Sequence, residues 1–140
     1  MNWNKIILRS QQVLGYIYLI AGVGKFVPQI EAVDKTLLKA YNHNKGTMLE
    51  DISHWFYINY WELSIFIAIA MVASGICQVT NKFLVRSACF GQILMCFCFM
   101  IFLHRAYPII YLVDIPCIAL AGLIIYWHTK YPGFADTKKE

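Results

Sequence analysis

Four stretches of this chain are almost free of charge, and they constrain its fold more than any other feature. Residues 13–24 follow a shorter apolar run at 6–8. Residues 63–79 follow Glu62, residues 87–103 lie between Arg86 and His104, and residues 106–127 contain a single charge, Asp114. A hydrocarbon layer of about 30 Å needs about 20 helical residues, and open strands cannot satisfy their backbone there. With a few flanking residues each block reaches that length. Helices are therefore expected at about 6–27, 59–80, 83–104 and 107–128. Composition agrees: the chain is 59% hydrophobic and only 14% charged, with a mean hydropathy of +0.54. A water-facing domain usually carries about 25% charge. The expected class is all-α, an integral membrane four-helix bundle in one domain over 1–140, with the lipid bilayer as its first partner.

The first block is the weakest, because Arg9, Ser10, Gln11 and Gln12 occupy its opening turns. The Gly-Val-Gly-Lys-Phe-Val-Pro run at 22–28 is a poor small-x-small cleavage site, so the reading is a retained helix whose Arg9 snorkels to the headgroups. The second, third and fourth helices are joined by a few residues each and so run antiparallel as neighbours. The connection over 28–58 is the one sizeable loop. Within it Ile30, Val33, Leu37, Leu38 and Tyr41 recur at helical spacing, with charged residues between them. This predicts a short amphipathic helix broken by residues 42–46. Trp55, Phe56, Tyr57, Tyr60 and Trp61 form an aromatic belt before the second span. The basic residues give seven on the side of the termini and five on the other, a mild bias that places both termini in the cytoplasm and the loop outside.

Ionisable groups at membrane depth are the informative ones, since burying them costs kilocalories unless they are paired. Lys25 closes the first span, Glu62 opens the second, His104 and Arg105 close the third, and Asp114 lies within the fourth. Because the helices alternate direction, all fall in the outer leaflet. Together with Tyr18 they make a candidate polar pocket: Lys25, Glu62, His104, Arg105, Asp114 and Tyr18. Such a layer either fixes helix packing or binds the head of a lipophilic molecule such as a quinone. Gly15, Tyr18, Gly22 and Lys25 share one face of the first helix, where small residues allow close helix contact. Asp114, Cys117 and Ala121 share a face of the fourth. Gln78 and Gln92 are placed to bond across helices or to sit at the inner interface.

Other chemistry lacks its signature. The five cysteines lie inside apolar blocks with no C-x-x-C pair, so they read as packing residues, with Cys96 and Cys98 about 200° apart around one helix. No two histidines sit at i, i+4, and no metal site is expected. Phosphate loops, nucleophile elbows and dinucleotide fingerprints are absent from the sequence. The net charge of +4 is spread between the blocks, which gives no reason to expect a nucleic-acid partner.

Arg9, Gly15, Gly22, Lys25, Phe26 and Pro28 in the first span, then Glu62 and Gly75 in the second with a polar turn at 78–82, resemble the pattern of the DoxX-like family of small four-helix membrane proteins. The Tyr-Pro-Gly-Phe run at 131–134 resembles that family's tail. The family's usual glycine soon after the glutamate is missing, since 63–74 contains none, which marks a diverged branch. The resemblance implies a fold more than a reaction. Family members include a subunit associated with thiosulfate:quinone oxidoreduction, membrane partners of oxidative-stress enzymes, and relatives needed to mature periplasmic redox proteins. The expectation is thus a bacterial inner-membrane protein acting as a membrane subunit or assembly partner of a redox-related complex, with a protein partner or homo-oligomer. The alternative is an oxidoreductase subunit that binds a quinone or another lipophilic small molecule. Whether the chain is itself catalytic is left open, and Lys25 and Glu62 are the matched positions of first interest.

Overall fold

The computed structural model describes residues 3–27, 32–80 and 84–131. Six helices occupy them: α1 Trp3–Gly24, α2 Val33–Asn44, α3 Glu50–Ile58, α4 Tyr60–Thr80, α5 Val85–Leu103 and α6 Ile110–Lys130. Four of these, α1, α4, α5 and α6, are long and apolar enough to cross a membrane. They match the four expected spans to within about three residues at each end. The last begins at Ile110 because Pro108 sits in a tight turn, in which the Ile110 amide bonds Tyr107 and the Leu112 amide bonds Ile109.

The outward faces explain why such a bundle suits lipid. Ile20, Phe66 and Leu112 are 73%, 72% and 76% exposed, and many large apolar residues around them are exposed too. A soluble protein rarely shows an apolar surface of this extent.

Two helix pairs form the frame, α1 against α4 and α5 against α6. The α1–α4 crossing is tight because glycines face each other. A Cβ on Gly75 would lie 2.7 Å from the Gly15 carbonyl oxygen and 2.6 Å from Leu19, and one on Gly22 would lie 3.0 Å from the Ala68 carbonyl oxygen. The glycine face of α1 therefore makes the close contact its spacing predicts. On α4, Ser64, Ala68, Met71, Gly75 and Gln78 point inward, while Glu62, Phe66, Ile69 and Ala73 are exposed.

The loop between α1 and α4 holds two helices where the sequence suggests one. Glu50 and Asp51 open α3, favourable charges at a helix N-terminus. The expected break falls at Gly46, whose φ of 73° is a conformation that suits glycine. The Glu50 carboxylate accepts from the Gly46 amide at 2.7 Å. Asn44, wholly buried, then fastens this cap to the bundle. Its Nδ2 donates to Ser53 Oγ at 2.7 Å and to the Phe102 carbonyl at 3.1 Å, one of the four carbonyls left open at the end of α5. Phe56 meets Phe102 edge-on at 4.8 Å. At the opposite end Trp127 Nε1 donates to Asn4 Oδ1, tying α6 to the start of α1. Ile30, the 81–82 part of the turn after α4 and the 132–134 part of the tail motif lie outside the described residues.

Candidate functional site

The interior carries two polar layers at different depths. The first lies below the α2–α3 cap. Tyr18 from α1, Cys96 from α5 and Asp114 from α6 converge there. The Tyr18 hydroxyl and the Cys96 thiol are hydrogen-bonded at 3.3 Å, and the Asp114 carboxyl lies within electrostatic reach of both. Either the phenol or the thiol can be the donor in this bond. Asp114 is only 6% exposed, and its Oδ2 has no hydrogen-bond partner among the described residues. Pro116, inside α6, lacks the amide that would bond the carbonyl four residues back, which loosens the backbone beside Asp114. Cys117 completes this face.

The second layer lies toward the end that carries Asn4 and Trp127. His128 Nε2 donates to Gln11 Oε1 at 2.7 Å, and Gln11 Nε2 donates to the Gln78 carbonyl at 2.8 Å. Gln78 Nε2 donates to Gln92 Oε1 at 2.7 Å and to the Cys89 sulfur at 3.1 Å. One chain of bonds thus runs from α6 through α1 and α4 to α5. Gln11, Gln78 and Gln92 are almost completely buried. Sequence reasoning singled out Gln78 and Gln92 as able to bond across helices, and they do. It missed Gln11 and His128, which are 117 positions apart. The only signal was negative: a glutamine in an opening turn that had been read as weakening the span.

The six residues of the expected pocket separate. Tyr18 and Asp114 come together beside Cys96, which its apolar setting in the sequence marks only as a packing residue. Lys25, just past α1, is half-buried and lines a cavity between α4 and α5. Half-buried His104 donates from Nδ1 to the Ile101 carbonyl at 2.9 Å, following the end of its own helix. Glu62 and Arg105 are exposed. Among the described residues no group of three His, Cys, Asp or Glu side chains is placed to hold a metal ion.

The cavity has a volume of about 510 Å³, within the usual range for small-molecule sites. Its walls are mostly apolar and aromatic, with Thr36, Ser64 and Ser74 the hydroxyl-bearing residues among them. Gly91 contributes to its floor, and a Cβ there would meet nothing within 4 Å.

Known proteins relate to this chain in two ways. It is 30% identical over 113 residues to oxidoreductase PigB of Serratia sp. (strain ATCC 39006), an alignment covering 81% of this chain but 17% of that protein. The chain thus spans about a sixth of that relative's length. No solved structure matches it. A family model matches over residues 8–138, which takes in the glycine crossing of α1 and α4, both buried polar layers and the cavity; the chain belongs to DUF6041, a family of unknown function.

Proposed function

We propose that this protein is a membrane-embedded subunit or assembly partner of an oxidoreductase, DoxX-like in build, set in a bacterial inner membrane with both termini in the cytoplasm. One observation carries the reading. Most of this chain aligns with a small part of a protein named an oxidoreductase. A unit of this kind thus occurs within a far larger redox protein, and the remaining four-fifths of that relative is where the reaction would be housed. The structure of this chain fits a supporting role. Within each polar layer side chains bond across helices, which holds the bundle in register, and its cap presents exposed aromatic residues at the end bearing α2 and α3.

The test is purification of the tagged full chain from its own host in mild detergent. The expected partner is a protein similar to the part of the relative that this chain does not match. Deleting this chain should lower that partner's membrane-bound redox activity. If the chain purifies without such a protein and its deletion leaves membrane redox activities unchanged, the reading fails. The lipophilic-ligand alternative is supported by a separate feature, the cavity between α4 and α5.

A further inference from the structure

The position of α3 is fixed from two sides. Asn59 alone separates it from α4. Bonds run through that joint, from the Asn59 amide to the Trp55 carbonyl and from the Leu63 amide to the Asn59 carbonyl, each at 3.0 Å. The other tie is to α5. The Asn44 side-chain amide bonds both Ser53 and the Phe102 carbonyl, and the Phe56 ring meets the Phe102 ring. Residues 53 and 56, the middle of α3, therefore lie within about a turn of the end of α5. Phe102 still belongs to the charge-free run that ends at Leu103. The depth of α3 is thus that of the edge of the apolar layer.

At that depth α3 turns an apolar face outward. Met48, in the turn leading into the helix, is 91% exposed, and Ile52 and Trp55 are exposed beside it at i+4 and i+7. Past the joint, Trp61, Phe66 and Ile69 of α4 are exposed too, so the apolar surface continues from α3 onto the side of the bundle. Glu62, the charge on that side, stands in the opening turn of α4, where headgroups would meet it. On the opposite side of α3, Ser53 is buried and Phe56 and Tyr57 are half-buried. The helix carries Glu50, Asp51 and His54 but no lysine or arginine, and the Glu50 carboxylate is taken up by the Gly46 amide. Apolar area, and not attraction to anionic headgroups, is what would draw such a face to a lipid surface.

We infer that α3 lies flat in the bilayer boundary on the cap's side, with Met48, Ile52 and Trp55 immersed about 5–10 Å into the headgroup–acyl region. The occupant of this face is lipid, because the face is held at the depth of the apolar layer and is continuous with the outward side of α4. The inference rests on the bilayer reading and not on the oxidoreductase partnership.

The experiment reconstitutes the full chain in vesicles of phosphatidylcholine brominated at shallow or deep acyl positions and reads tryptophan quenching. One variant keeps Trp55 with the other three tryptophans changed to Phe. Two more, Met48→Trp and Ile69→Trp, are made with all four changed to Phe. Positions 48 and 55 should be quenched equally and best by the shallow bromines, position 69 best by the deep ones. Vesicles containing phosphatidylglycerol should give the same result. An upright α3 would instead set position 48 about 10 Å above position 55, leaving 48 open to acrylamide from the water and untouched by lipid, which would overturn the inference. Quenching that appears only as the protein is diluted in lipid would overturn it in favour of a second copy on this face. If position 69 also escaped brominated lipid, the bilayer reading itself would fall. A further variant retains the native tryptophans: Ile52→Asp should shift their emission to the red and reduce shallow quenching, with helix content unchanged because Ile52 faces outward. Unaltered emission and quenching in that variant would count against immersion.

Discussion

At the scale of single residues, glycines with the same name do opposite work. A methyl group on Gly75 would press into the Gly15 carbonyl and Leu19, both held by the helix that α4 packs against. Gly75→Ala should therefore cost about 1–3 kcal/mol, the usual penalty for overpacking. Gly91→Ala should be neutral or stabilise by up to about 1 kcal/mol, because helical glycine is intrinsically unfavourable and the space is empty. Unfolding in mixed micelles measures both. Cys96 is a second residue whose part is more than volume. It stands between Tyr18 and Asp114, so Cys96→Ala and Asp114→Ala should not add. A double-mutant cycle is expected to give a coupling of about 0.6 kcal/mol, typical of polar pairs between membrane helices. Full additivity would show that the sulfur does not link them. Cys98→Ala, at an exposed position on the same helix, should change little. The sequence placed Cys96 and Cys98 on opposite faces, which is what burial shows. It could not show that Cys96 bonds Tyr18 beside Asp114, since that depends on three helices meeting at one depth.

Elements were the most legible scale. Charge-free length alone located the four long helices, because a chain of this composition has few other ways to satisfy its backbone. The amphipathic spacing around Val33 and Leu37 gave α2. α3 was harder to see, since its apolar positions are also the aromatic belt, and only Asn59 separates it from α4. The candidate pocket was legible in part for the same reason. Helix direction puts Lys25, Glu62, His104, Arg105 and Asp114 near one end, but rotation about each axis decides which face the interior. For α4 that rotation is set by the glycine crossing, which turns Ser64 inward and leaves Glu62 exposed. The cap formed by α2 and α3 makes a prediction of its own. Asn44 joins the α2–α3 turn to the end of α5. Asn44→Ala removes both bonds, at a cost of about 1–2 kcal/mol. Hydrogen exchange should then quicken over 33–58 while the interiors of the four long helices stay protected, as expected when a locally stabilised unit opens by itself. Uniform acceleration through all six helices would contradict that separation.

For the whole molecule, the proposed orientation, with both termini in the cytoplasm, can be tested directly. In right-side-out vesicles, an impermeant thiol reagent should label a cysteine introduced at Gly46 and spare one introduced at Lys5, in a background with the native cysteines replaced. The reverse pattern would invert the protein and move the cap and Lys25 to the cytoplasmic side. Gly46 also suits the probe structurally, since a side chain there meets nothing within 4 Å, although its positive φ makes the replacement strained by about 1–2 kcal/mol. Because α1 packs chiefly on α4 and α5 on α6, the α4–α5 boundary is more loosely packed than either of those pairs, and the cavity lies along it.

The pairing of α1 with α4 also bears on how the protein is made. When Gly24 leaves the ribosome, the helix that will cover the Gly15–Gly22 face does not yet exist. The chain must grow to Thr80 first, which at ordinary rates of synthesis takes about 3–10 s. During that wait α1 must hold its place with Gln11 and Gln12 in its opening turns and its glycine face bare. As a membrane span it would hold only a provisional place until α4 arrives and the Gln11 amide reaches the Gln78 carbonyl. Quality-control proteases would have their opportunity in that interval, and a slower α4, or one unable to close the crossing, would lengthen it.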